Sequence, residues 1–152
     1  MLTSLLTLLA LIALFFMRGG AREPVTHVGI LPASARASPV ERAEQLIAAL
    51  GLEIVRRDPD EGTGPGFVAD SRSAIDPQRV YVRAFNLPPE ERVRAPDVVA
   101  AIDVAKSEGF NKTLLVSANG FTDEALLAAD GSVAELIDEA ELDQIVKESL
   151  KH

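Results

Sequence analysis

The residues that could carry chemistry in this chain are mainly carboxylates and arginines, because cysteine is absent and histidine occurs only at positions 27 and 152. A thiol nucleophile, a cysteine-ligated metal and an iron–sulfur cluster are therefore excluded, and a histidine-based catalytic triad is not expected. Asp58, Asp60 and Glu61 could gather a cation, although an exposed acidic turn is the better interpretation. The glycine-rich segment that follows lacks the Gly-Lys-Ser/Thr ending of a phosphate-binding loop.

Two predicted strands would position the carboxylate and the arginine in the middle of the chain. Residues 66–70 form a short apolar segment that ends at Asp70, and residues 78–85 show the alternation of a strand around Arg83. Residues 58–66, which precede the first of these two strands, form a turn region rich in Asp, Gly and Pro. This pattern predicts neighbouring strands that bring Asp70 and Arg83 to one sheet.

The elements around these strands follow from helix caps, glycine stops and apolar periodicity. A short strand is also predicted over residues 26–31. The other predicted elements are a helix from the Ser38 cap to Gly51, a strand over 52–56, a helix from the Asp97 cap to Glu108, a strand over 112–117, a helix from the Thr122 cap to Ala129, a strand over 133–137 and a final helix capped by Asp138. Three consecutive strands followed by alternating helices and strands predict an α/β domain with a mixed sheet flanked by helices.

The N-terminal end differs in composition from the rest of the chain. Residues 1–17 carry no charged side chain and would form roughly 25 Å of helix, the short end of what spans a bilayer. We expect a transmembrane anchor over 1–17, a juxtamembrane linker and lead-in over 18–37, and the folded domain over 38–152. Arg18 and Arg22 follow the anchor, so the positive-inside rule places the C-terminal domain in the cytoplasm of a single-pass protein.

The N-terminal segment also allows a different interpretation. The small residues Gly19 and Ala21 suit the cleavage site of a secretory signal peptide. A signal peptide normally starts with a positively charged region, and no charged side chain precedes Arg18. The anchor is therefore the favoured prediction, and a secreted domain is the alternative.

The charge distribution predicts weak or absent DNA binding. Residues 24–152 hold 13 Lys and Arg against 22 Asp and Glu, a net charge of −9. Residues 122–151 alone hold nine acids and two lysines. A net negative surface repels the phosphate backbone, so any nucleic acid would have to bind the arginine-containing middle of the chain.

Several strings resemble the Mrr-type restriction endonuclease family. Residues 114–117 (Leu-Leu-Val-Ser) run into residues 120–125 (Gly-Phe-Thr-Asp-Glu-Ala), which resembles the family's strand followed by Gly-Phe-Thr-x-x-Ala at a helix start. Residues 133–138 (Val-Ala-Glu-Leu-Ile-Asp) resemble its final strand and helix, and residues 80–82 (Val-Tyr-Val) its catalytic strand. The resemblance covers about residues 38–150 and implies a restriction-endonuclease-like fold.

The resemblance also implies where a catalytic site would lie. Members of the family hydrolyse DNA phosphodiesters with an Asp on one strand and a Glu/Gln-x-Lys on the next, which hold Mg²⁺ and position water. In this chain the Asp position falls on Val68, and the Gln and Lys positions fall on Arg83 and Phe85. Asp70 lies two residues late but on the same strand face, so it is the one weak catalytic candidate.

The expected function follows from this degenerate motif. No metal site and no cofactor are expected, and Arg83 could contact phosphate or form a surface salt bridge. The chain is expected to be a membrane-anchored, catalytically inactive Mrr-like domain that binds or scaffolds an unknown protein partner at the cytoplasmic membrane face. One alternative is an active, Mg²⁺-dependent DNA endonuclease of the Mrr type, and the other is a secreted binding domain after signal cleavage.

Overall fold

A five-stranded mixed sheet organises the residues that the computed structural model describes, which are 37–60 and 62–151. Neighbours are antiparallel in the first three strands and parallel in the last three, so the predicted mixed sheet is confirmed. The strands lie across the sheet in chain order as β1 (Leu52–Asp58), β2 (Gly66–Ser71), β3 (Arg79–Ala84), β4 (Lys112–Ser117) and β5 (Ala134–Asp138).

Four helices flank the sheet, in the predicted order. Two of them begin with the predicted capping boxes: the Ser38 hydroxyl accepts from the Glu41 amide at 3.2 Å, and the Asp138 carboxylate accepts from the Glu141 amide at 2.9 Å. The Glu41 carboxylate in turn accepts from the Ser38 amide at 2.6 Å. The helices are α1 (Pro39–Ala49), α2 (Ala95–Ser107), α3 (Asp123–Ala129) and α4 (Glu139–Leu150).

The predicted start of α2 is wrong by three residues, because the cap is Arg94 and not Asp97. Asp97 does not precede the helix but occupies its third position, and its carboxylate accepts from the amide of Arg94 at 3.4 Å. The helix starts earlier because Pro96 fits a first turn, where a missing N–H costs no hydrogen bond. Asp97 therefore caps the helix from inside.

The two faces of the sheet are covered by different helix pairs. Val68 and Tyr81 pack with Ala105 and Phe110, so α2 and the turn after it cover that face. α3 packs beside α2 in a second apolar cluster. On the other face, Arg57 pairs with Glu44 of α1, and α4 packs against α1. The sheet is thus enclosed by two helical layers.

The N-terminal predictions concern residues outside the described part of the chain. Residues 1–36 contain the predicted transmembrane segment over 1–17, the strand predicted over 26–31 and nearly all of the 18–37 linker. Within residues 37–60 and 62–151, none of the helices combines the length and the apolar composition needed to cross a bilayer.

Candidate functional site

The register of β2 and β3 places the candidate site positions on one face of the sheet. Val68 lies opposite Tyr81, and Gly66 lies opposite Arg83, so Val68 and Arg83 are diagonal neighbours. Paired residues in antiparallel strands point to the same face, and side chains alternate along each strand. Phe85 continues β3 with the same parity, since its amide donates to the carbonyl of Val116 on β4 at 2.9 Å.

Val68 is a core residue. Only 3% of its surface is exposed, and it packs with Tyr81, Ala105 and Phe110. The rings of Tyr81 and Phe110 stack with their centroids 5.6 Å apart. The position that the resemblance assigns to the family's catalytic Asp is therefore filled by apolar and aromatic contacts.

Phe85 is also buried, with 6% of its surface exposed. It belongs to an apolar cluster that joins β4 to α2 and α3 and includes Val93, Ile102, Leu115 and Phe121. An ammonium group placed among these apolar side chains would be buried at a high energetic cost. Phe85 thus stabilises the packing of α2 and α3 on the sheet.

Arg83 is held by hydroxyl groups. Its Nε and Nη2 donate to the Tyr81 hydroxyl at 3.1 and 2.9 Å, and its Nη1 donates to the Thr63 hydroxyl at 2.7 Å. The guanidinium carbon lies 5.9 Å from the centroid of the Tyr81 ring. The half-buried guanidinium of Arg83 therefore links the loop before β2 to β3, through one hydrogen bond to Thr63 and two to Tyr81.

Asp60 organises that loop, a role that sequence reasoning did not assign to it. One carboxylate oxygen accepts from the amides of Gly62 and Gly64 at 2.8 and 2.9 Å. These two hydrogen bonds lower the pKa of Asp60, and the Asn86 side chain and the charge of Arg83 lower the same pKa further. The spacing Asp-x-Gly is a sequence signal for such a turn, because Asp side chains bond the backbone two residues on.

Asp58 belongs to β1 rather than to a cation-binding turn. Its two carboxylate oxygens accept from Arg56 at 2.8 and 3.0 Å. Asp58 and Asp60, the two described acids of the predicted acidic turn, therefore both accept hydrogen bonds from protein donors. The third acid, Glu61, lies outside the described residues.

Asp70 lies away from Arg83 and Phe85. Its Cα partner on β3 is Arg79, whose guanidinium donates to both carboxylate oxygens at 2.8 and 3.0 Å and lowers the pKa of Asp70. Asp70 is four residues along β2 from Gly66, the partner of Arg83, which corresponds to about 13 Å at the usual strand rise. The structure therefore does not bring Asp70, the weak catalytic candidate, together with Arg83 or Phe85.

The three family positions, which are the positions that the resemblance assigns to catalytic residues (Val68, Arg83 and Phe85), do not fit a magnesium site. Mg²⁺ is held by oxygen ligands, whereas these positions carry two buried apolar side chains and one cation. Within residues 37–60 and 62–151, no group of three or more His, Asp or Glu side chains could hold a metal ion. No metal-dependent step follows from this arrangement of Val68, Arg83 and Phe85.

Among solved structures, this chain is similar to two restriction endonucleases. The DNA modification-dependent restriction endonuclease AspBHI superposes with a TM-score of 0.48 and 14% identity, covering 91% of this chain and 44% of that chain. The MspJI restriction endonuclease in complex with a 27-mer oligonucleotide superposes with a TM-score of 0.42 and 16% identity, covering 80% and 40%. This chain therefore spans less than half the length of either protein. No curated protein matches it.

A family comparison covers the whole of the site just described. The Mrr catalytic-domain model, described as restriction endonuclease, matches residues 40–146. That range runs from α1 into α4 and includes all five strands, with the β2–β3 hairpin that bears the three family positions. Since the match extends over more than half of the sequence and over every strand of the sheet, the chain belongs to the Mrr-type restriction endonuclease family.

Proposed function

We propose that this chain is a catalytically inactive, Mrr-like nuclease-fold domain that binds or scaffolds a protein partner at the cytoplasmic face of a membrane. One observation carries the proposed inactivity: Val68 and Phe85, which the resemblance assigns to two of the three catalytic positions of the family, are buried core residues. Hydrolysis of a phosphodiester by this family's chemistry needs carboxylates that hold Mg²⁺ and a lysine beside the attacked phosphate. Neither of these two side chains can take those roles.

The surroundings of the two residues support the same proposal. The Val68 contacts with α2 and the Phe85 contacts with α2 and α3 are continuous with the core, so the positions contribute to folding. Arg83 stands at the third position and bonds Tyr81 and Thr63. A positive charge there repels a cation instead of binding it.

A plasmid-nicking assay with Mg²⁺ or Mn²⁺ tests catalytic inactivity. We expect no cleavage by the wild-type chain or by Asp70→Ala. Asp103→Ala is the matched control, because it removes an exposed carboxylate from α2, away from the strands that carry the family positions. Cleavage that is present in the wild type and the control but lost in Asp70→Ala would establish the alternative, an active Mg²⁺-dependent endonuclease.

The membrane part of the proposal rests on the uncharged composition of residues 1–17 and on the arginines that follow them. Fractionation of cells that express the full chain should place it with the membranes. Sequencing of its N-terminus should return residue 1 or 2. A mature N-terminus near position 22 in the secreted fraction would instead establish the alternative of a secreted binding domain.

The nature of the partner follows from charge. The net charge of −9 over residues 24–152 favours a protein with a basic surface over a polyanion. Crosslinking of the full chain in membranes, repeated with the 24–152 fragment, tests whether partner capture depends on the anchor. Capture of nucleic acid by both forms at physiological salt would contradict the proposal.

A further inference from the structure

We draw no further inference here: the strongest candidate, the outward side of α2, where Val99 and Val104 are partly exposed beside Asp103, carries nothing because no described part of the structure shows what covers it.

Discussion

Phe85 is the residue that the resemblance assigns to the family's catalytic lysine position, and its neighbours are the apolar side chains of β4, α2 and α3. Restoring the lysine with Phe85→Lys should therefore destabilise the domain. Loss of a buried aromatic ring costs about 3–5 kcal/mol, and burial of the ammonium adds to that cost. Urea unfolding of the 24–152 fragment measures the change. Phe85→Leu is the control, because it shortens the side chain but keeps it apolar. Equal losses for the two variants would show that the position tolerates charge.

Asp60 should make the stability of the fold depend on pH, through the loop before β2. Its pKa lies below the ordinary value of 3.8, chiefly because the carboxylate accepts from the Gly62 and Gly64 amides. A lowered pKa in the folded state means that the ionised group stabilises the fold above about pH 4, and that this contribution is lost as pH falls through the folded-state pKa. Asp60→Ala should be less stable than the wild type at about pH 7.

Urea midpoints of wild type and Asp60→Ala across the acid range check this sign. The stability gap between the two should narrow steadily as the carboxylate becomes protonated. A gap that stays constant from neutral to strongly acidic pH would show that the Asp60 hydrogen bonds contribute nothing through ionisation.

The residues of the candidate site could be predicted from the sequence, but their contacts could not. Val68, Arg83 and Phe85 could be singled out from the sequence, because matching a chain to a family's motif requires only the order of its residues. The contacts of Arg83 with Tyr81 and Thr63 did not follow from the sequence. Thr63 is twenty residues from Arg83, and only the way that the loop folds onto β3 brings the two side chains together.

At the scale of elements, the sequence predicted all four helices and all five strands of the described chain, because caps and apolar periodicity act locally. The start of α2 was predicted three residues late, since an Asp can cap a helix either from the residue before it or from its third position, and Pro96 suits the first turn of the earlier start. The order of strands within the sheet and the helix layer on each face depend on long-range pairing, which local patterns do not encode.

The loop between β1 and β2 makes a prediction about two glycines. Gly62 and Gly64 both have positive φ, of 109° and 126°, which L side chains rarely adopt. A Cβ at Gly64 would also meet the carbonyl of Ala84, whereas a Cβ at Gly62 would meet open space. Gly62→Ala should cost about 1–3 kcal/mol through backbone strain, and Gly64→Ala should cost about 1–3 kcal/mol more through overlap.

Thermal unfolding of the two variants beside the wild type separates strain from overlap, because only Gly64→Ala has both. A greater loss in Gly64→Ala would show that close approach of the loop to β3 matters for stability. If Gly62→Ala lost as much, the approach of the loop to Ala84 would contribute nothing beyond backbone conformation.

At the scale of the whole molecule, charge is distributed unevenly along the described chain. The acid-rich residues 122–151 form α3, β5 and α4. In the middle of the chain, several arginines are engaged by acids: Arg56 pairs with Asp58 and Glu108, and Arg79 pairs with Asp70. Arg57 and Arg72 likewise lie near Glu44 and Glu53, so the charges of four of the seven arginines between residues 56 and 94 are offset by neighbouring acids.

The 24–152 fragment should accordingly bind duplex DNA no more tightly than about 10⁻⁴–10⁻⁶ M at roughly 150 mM salt, the usual range of nonspecific binding. Fluorescence anisotropy with a labelled duplex measures this affinity. A variant with Asp123→Asn, Glu124→Gln and Asp130→Asn removes three negative charges around α3 and should bind more tightly at low salt, because the repulsion is smaller. Submicromolar affinity of the unmodified fragment would mean that the arginines of the middle segment form a DNA-binding surface despite their ion pairs. An unchanged affinity in the variant would show that repulsion by the acidic region does not limit binding.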